Sequence, residues 1–319
     1  MKANIFNEAM ELFETPSEFY EEAKMMINEE ERNLIVNMNK GKYTLQELSK
    51  LIIDNKISDA PLELIERSYS RAIIKKVEGG STIYYSIANF YERFPFFAQY
   101  EYDSYALIPR EKKEALNDWD KKIYLEIYGD DVRKKIKGEN THVHNSDFLT
   151  LEESYEFVDK HKDLIYMIPC NCKCMMFYHD RPLDVCMNFD SGINSHYDRG
   201  HGEVISAEEA KKRLKVFNKK GLMQNGEDYA ICNCDGYCCY PLYMARTIGS
   251  KGIYPKSNYD IQWNEDKCIN CGKCTRICNF GAFYFDDNKK VKYDIEKCWG
   301  CTICADNCPK KAIKLIKKH

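Results

Sequence analysis

The chain has 319 residues, 44% hydrophobic and 30% charged, a soluble globular composition with room for two or three domains of about 100–200 residues each. Its net charge of −3 selects no class of partner, and no apolar run approaches the roughly 18 residues of a membrane helix. The N-terminus turns acidic at once, without the apolar stretch and small residues of a signal peptide. A cytoplasmic protein is expected, in a compartment where thiols stay reduced and disulfides are rare.

Residues 1–138 read as helical with one hairpin. Thr44 and Glu47 form a capping box that opens "LQELSKLIIDN". Asp59 reads as an N-cap, with Pro61 early in the next helix. Two β-rich runs flank Glu78-Gly79-Gly80-Ser81, a hairpin signal. Helices followed by a hairpin point to a winged-helix-like domain, a fold that often binds DNA. Charge argues against that role, because residues 1–120 hold 15 Lys and Arg against 22 Asp and Glu. The would-be reading helix carries Glu63 and Glu66 beside Arg67 and Arg71, whereas phosphate neutralisation needs a basic face. No nucleic-acid partner is expected, and the segment reads as a docking or dimerisation module. The aromatic stretch 88–105 packs a core or forms an apolar docking patch. His142 and His144 fall in "GENTHVHNSD", which reads as linker.

Residues 139–258 form a cysteine-rich α/β module. A capping box at Thr150 and Glu153 precedes Leu151, Tyr155 and Val158 at helical spacing, and "LIYMI" (164–168) reads as a buried strand ending at Pro169. Cys170, Cys172 and Cys174 follow; in an extended chain they share one face. Cys186 completes a first clump. A box at Ser206 and Glu209 opens a helix with Ala210, Leu214 and Phe217 on its apolar stripe and Gly221 at its stop. That helix returns the chain to a second clump, "ICNCDGYCCY", with Cys232, Cys234, Cys238 and Cys239. His179, His196 and His201 each admit a ligand reading and a plainer one as solvated polar residues. No P-loop, dinucleotide-binding turn or nucleophile elbow occurs, and no catalytic residue is named.

All sixteen cysteines lie after residue 169, and metal ligation is the expected use of thiols in a reducing compartment. Residues 259–319 carry two runs, Cys268, Cys271, Cys274, Cys278 and Cys298, Cys301, Cys304, Cys308, each with the spacing C-x2-C-x2-C-x3-C. Each run has a loop glycine (Gly272, Gly300) and is followed by an apolar segment, "GAFYFDD" or "KAIKLIKK". Zinc ribbons use two C-x2-C pairs rather than four evenly spaced ligands. The segment resembles the bacterial two-[4Fe–4S] ferredoxins. The resemblance implies crossed ligation, with Cys268, Cys271, Cys274 and Cys308 on one cluster and Cys298, Cys301, Cys304 and Cys278 on the other. Pro309 follows the last ligand, but Asn279 stands at the matching place in the first run, which restores an N–H and alters hydrogen bonding there.

The order C-x-C, "DRPLDVC", a glycine-rich stretch and "ICNCDGYCC" is similar to a group of anaerobe iron–sulfur proteins that place a cysteine-rich module before such a ferredoxin domain. Asp235 and Tyr237 stand where that group often has cysteine, and Lys173 where it has arginine, which favours a simpler site. Three uses of the eight thiols compete: a third [4Fe–4S] cluster, one or two structural zinc ions, and a redox-active thiol pair. Cys170, Cys172, Cys186, Cys232 and Cys234 are the first candidates.

The expectation is an α+β, multidomain protein with segments 1–138, 139–258 and 259–319. It transfers single electrons between a cytosolic donor and a partner redox enzyme. The alternatives are a redox-sensing regulator using the winged helix, and a reductase or activator subunit acting on a partner's cofactor.

Overall fold

Capping signals legible in the sequence mark helix starts in the computed structural model, which describes residues 2–177 and 182–318. Thr44 and Thr150 each accept from the backbone N–H three residues on, while Glu47 and Glu153 reach back to the cap. Asn28 and Glu31 do the same. Asp59 does not cap: the cap position is Ala60, with Pro61 opening the helix. The fixed φ of Pro61 suits a first helical residue without help from a side chain.

The chain divides into two units, one made of Met1–Asp120, Cys174–His179 and Ser191–Gly202, the other of Lys121–Lys173, Asp180–Asp190 and Glu203–His319. The first unit holds helices α1 (Lys2–Leu12), α2 (Tyr20–Met26), α3 (Glu29–Met38), α4 (Leu45–Asp54) and α5 (Pro61–Ser70). A hairpin of β1 (Ile74–Gly79) and β2 (Thr82–Ile87) follows, then α6 (Phe90–Tyr100) and α7 (Tyr102–Ala106). Gly79 pairs with Thr82, so the turn is Gly80-Ser81, and Gly80 takes a φ of +68° that a side chain would resist. Tyr43, between α3 and α4, bridges Tyr85 as a one-residue third strand.

The aromatic stretch packs the core of this unit: Phe90, Phe94, Phe97 and Tyr105 are buried. The segment Ser191–Gly202 completes the unit. Asn194 exchanges two 2.8 Å hydrogen bonds with the backbone of Lys76, as a neighbouring strand would. The carboxylate of Asp198 holds the Lys76 ammonium at 2.8 Å and accepts from the Tyr69 hydroxyl.

A 27-residue helix, α8 (Arg110–Ile136), contains the boundary between the units. The second unit is built on a seven-stranded sheet. Its strands are β3 (Asp147–Leu149), β4 (Tyr166–Pro169), β5 (Asp184–Asn188), β6 (Glu203–Val204), β7 (Met223–Gly226), β8 (Ala230–Cys234) and β9 (Lys256–Ser257). They lie in the order β6-β4-β5-β8-β7-β3-β9, antiparallel except for the β3–β9 pair. Helices α9 (Leu151–Lys160) and α11 (Ala207–Lys219) contribute Val158, Ala210, Leu214 and Phe217 to a core shared with Ile165, Met167, Met187 and Ile231. A short helix α10 (Asn171–Met175) follows β4, and α12 (Tyr240–Ile248) follows the second cysteine clump.

The last segment of this unit is a duplicated fold. Strand β10 (Tyr259–Trp263) pairs antiparallel with β13 (Ile313–Lys317), and β11 (Phe283–Phe285) pairs with β12 (Val291–Tyr293). Short helices α13 (Lys273–Ile277) and α14 (Ile303–Asp306) carry the ends of the two cysteine runs. The whole is mixed α/β and multidomain. Among the described residues no helix is long and apolar enough to cross a membrane.

Candidate metal centres

The two halves of the duplicated segment place positive φ at matching positions. Asn270 and Gly300 take +53° and +68°, Gly272 and Thr302 both +67°, Gly281 and Lys311 +67° and +49°. These turns bend the backbone around the sulfurs. The N–H groups of Asn270 and Gly300 point at the first sulfur of each run, Cys268 and Cys298, at 3.4 Å in both. The N–H groups of Ala282 and Ala312 point at the last, Cys278 and Cys308, at 3.2 and 3.3 Å. Donors aimed at sulfur favour thiolate and are one lever that sets cluster potentials.

Two cavities result. One is lined by Cys268, Cys271, Cys274 and Cys308, with Trp263, Val291 and Ile313 among its apolar walls. The other is lined by Cys278, Cys298, Cys301 and Cys304, with Ile261, Phe283 and Ile303. Each cavity therefore takes three thiols from one run and the last thiol of the other. Burial raises Cys274 to about 11, helped by the neighbouring Cys268 and Cys271, and burial also pushes Cys301 and Cys304 up. Ligands of this kind release protons when metal binds. The thiols and apolar walls fit a [4Fe–4S] cluster in each cavity, which would supply one-electron chemistry. Cys271 is exposed, whereas Cys301 and Cys304 are buried. Asn279 uses its side chain to donate to the Gly221 carbonyl at 2.9 Å, tying the first run to the end of α11.

The other eight cysteines do not act as one set. Cys170 follows β4, and its N–H bonds to Leu183 O at 2.8 Å. The next residues turn into α10 instead of staying extended, so Cys170, Cys172 and Cys174 do not share a face. Side chains two apart on a helix point about 200° apart, which is why the extended expectation fails. Cys174 belongs to the first unit, where its charge acts on Tyr102 and Tyr105.

In the second unit, Cys186 on β5 is the register partner of Cys232 on β8, and Cys234 lies two residues further along β8. The ionisation of Cys172, Cys170, Cys186, Cys232, Cys234 and Cys239 is linked from each to the next in that order. This chain of six holds the five first candidates together with Cys239, at the start of α12. The neighbouring thiols of Cys172 and Cys186 hold Cys170 well down, and those of Cys232 and Cys239 hold Cys234 to about 5. The other four are pushed up. Cys238 lies beside Asp235, whose Oδ1 is 3.4 Å from its sulfur. Among the described residues no three His, Cys, Asp or Glu side chains are gathered as for a single metal ion.

Three charged groups lie at this array, and of them Glu227 carried no sequence signal. Lys173 and Asp235 are buried and 3.6 Å apart. Burial raises Glu227 to about 8, with Cys234 adding to it; its carboxylate is 3.8 Å from the Cys232 sulfur. A lysine inside a C-x-C-x-C run was the available hint for the first, but "NGED" reads only as a turn.

The histidines are elsewhere. His196 and His201 belong to the first unit: the Tyr100 hydroxyl is 2.8 Å from His196 Nδ1, and His201 Nε2 is 2.8 Å from Ser70 O. Both are half-buried and pack against Phe96 and Tyr100. His179 lies outside the described residues. His144 is not in a free linker, since Tyr254 and Tyr128 pack on it and its Nε2 is 2.8 Å from the Tyr254 hydroxyl.

Two four-thiol cavities made from a duplicated, crossed motif define an iron–sulfur module of the dicluster type. Residues 262–315 match the family described as "4Fe-4S dicluster domain". An uncharacterized ferredoxin of Methanocaldococcus jannaschii is 44% identical over 61 residues, which cover 18% of this chain and 78% of that protein. The chain thus belongs, through this segment, to the 4Fe–4S dicluster ferredoxins. Pyruvate synthase subunit PorD of the same organism is 36% identical over 56 residues, covering 18% of this chain and 65% of that subunit. An archaeal-type glutamate synthase [NADPH] of Thermotoga maritima is 38% identical over 58 residues, again 18% of this chain but only 11% of that enzyme. The kinship is therefore with archaeal and thermophile iron–sulfur subunits and is not specifically bacterial. No solved structure matches the chain.

Proposed function

We propose that this iron–sulfur protein carries single electrons between a cytoplasmic donor and a partner redox enzyme. Two [4Fe–4S] clusters carry them, one on Cys268, Cys271, Cys274 and Cys308, the other on Cys278, Cys298, Cys301 and Cys304. The observation that carries this reading is the lining of the two cavities, each drawing its fourth thiol from the opposite run. The thiol array at Cys170, Cys172, Cys186, Cys232, Cys234 and Cys239 holds a third centre, a [4Fe–4S] cluster in preference to zinc. Cys234, Cys239 and Cys301 share one buried core with Phe148, Met223 and Ile303. The array therefore adjoins the buried second cluster, and the first, with its exposed Cys271, faces the donor. An electron enters at the first cluster, crosses the second and reaches the array.

The segments 1–138, 139–258 and 259–319 divide this work. The first has the element order of a winged helix, α3, a bridge, α4, α5 and hairpin, and we read it as a docking module. The basic groups between Pro61 and Ile87 are already paired: Arg67 with Glu30, Arg71 with Glu31 and Glu101, Lys75 with Glu92, Lys76 with Asp198. Phosphates compete poorly for cations held in this way. A second reading, a subunit that reduces or activates a partner's cofactor, is favoured by relatives that are themselves named as subunits, such as PorD.

The test is metal content of anaerobically purified full chain. About twelve iron and twelve sulfide per chain support three clusters. About eight of each, with one or two zinc, keep the electron-carrier role and make the array a structural clamp. Zinc without iron overturns the reading.

A further inference from the structure

Lys173 is one of the most enclosed side chains in the protein, 1% exposed, and it sits among thiols. Its ammonium lies 3.6 Å from Asp235 Oδ2, 3.4 Å from Pro182 O and 3.5 Å from Asn233 O. Asp235 Oδ1 accepts from the Tyr237 N–H at 2.9 Å and approaches the Cys238 sulfur. Oδ2 has no hydrogen bond and is the oxygen that the ammonium approaches. Burying an ammonium and a carboxylate at this separation costs more than an imperfect ion pair returns. Cys170 on one side and Cys234 and Cys238 on the other feel the charge of Lys173.

We propose that Lys173 and Asp235 set the reduction potential of the centre held by the thiol array, Lys173 making it the electron sink of the chain. This rests on the reading of the array as an iron–sulfur centre. A reduced cluster carries one more negative charge than an oxidised one. A fixed positive charge in a buried site stabilises the reduced form and raises the potential; a fixed negative charge lowers it. The two cavities of the ferredoxin segment differ in this respect. The basic groups lining the first are Lys273 and Lys310 at its rim, and no Lys or Arg lines the second. An electron on the second cluster is thereby drawn to the array. Lys173 and Asp235 are positioning residues, since they act through the ligands and not on a substrate.

The test uses the anaerobic full chain, with iron and sulfide measured first and then an EPR-monitored redox titration. With twelve iron present, Lys173→Met is expected to move the potential of one centre negative and leave the other two in place. Lys173→Arg keeps the wild-type value. Asp235→Asn moves the same centre positive, and the double variant returns it toward wild type. Opposite signs from the two single variants are not produced by a structural role. If Lys173→Met fails to assemble the centre, the Asp235→Asn shift decides alone. Unchanged potentials at full iron overturn the inference and leave the three-cluster reading standing. Iron for only two clusters in the wild type overturns both.

Discussion

Cys186 and Cys232 are direct register partners on the antiparallel strands β5 and β8, so their side chains leave the sheet on the same face. Cys234, two residues along β8, shares that face. The sheet thus fixes three sulfurs of the array on one face. Cys186→Ser is expected to remove about four iron and four sulfide per chain from the full-length protein while the ferredoxin clusters remain. Iron analysis with EPR of the reduced sample measures this, and undiminished iron means that Cys186 is not a ligand.

The crossed lining of the two cavities makes a sharper demand. Cys278 follows Cys274 in sequence but lines the cavity of Cys298, Cys301 and Cys304. Cys278→Ala is expected to destroy the buried cluster and leave the one that includes exposed Cys271. Spin quantitation of the reduced variant should show one ferredoxin-type signal instead of two interacting ones. Loss of the Cys268, Cys271, Cys274 cluster instead would show that the runs do not cross.

The full chain should bind duplex DNA no more tightly than the weak non-specific range, about 10⁻⁴–10⁻⁶ M at physiological salt. The ion pairs of Arg67, Arg71, Lys75 and Lys76 are the reason. A gel-shift titration against random and genomic fragments checks it, and tight sequence-selective binding would promote a regulatory role.

Acid should weaken the first unit through a histidine. Burial pulls His196 down to about 3, helped by the charges of His201 and Arg199. The unfolded chain takes up a proton near pH 6.5 and the folded one does not, so stability present above that pH is lost as pH falls toward 3. The loss is about 1 kcal/mol per pH unit below 6.5. Denaturant unfolding at pH 7.5 and 5.5 should show a smaller difference in His196→Gln than in wild type. An equal difference in both would clear His196 of the effect.

The readable parts of the sequence were those with local physics. Capping boxes at Thr44 and Thr150, the turn at Gly80-Ser81 and the two cysteine runs depend on neighbours within a few residues, and each appears where expected. The course of Cys170–Cys174 does not depend on neighbours alone: alternation permits a strand, and the chain instead turns into α10, sending Cys174 to the first unit. Cys239 joined the array because α12 starts there, and adjacent Cys238 did not extend the chain of thiol contacts. Lys173 and Asp235 were visible only as replacements for other residues. Their meaning comes from burial, which no spacing rule reports.

The two short returns of the chain to the first unit, Cys174–His179 and Ser191–Gly202, bear on the order of events during synthesis. When residues up to 120 have emerged from the ribosome, the Lys76 edge of the hairpin still lacks Asn194 and Asp198, and the Tyr105 hydroxyl still lacks the Met175 carbonyl. At roughly 5–20 residues per second these partners arrive several seconds later. By then Cys170, Cys172 and Cys186 have also been made. The N-terminal unit closes only after the first thiol clump exists, so its completion and the first folding of that clump fall in one interval of the nascent chain's life.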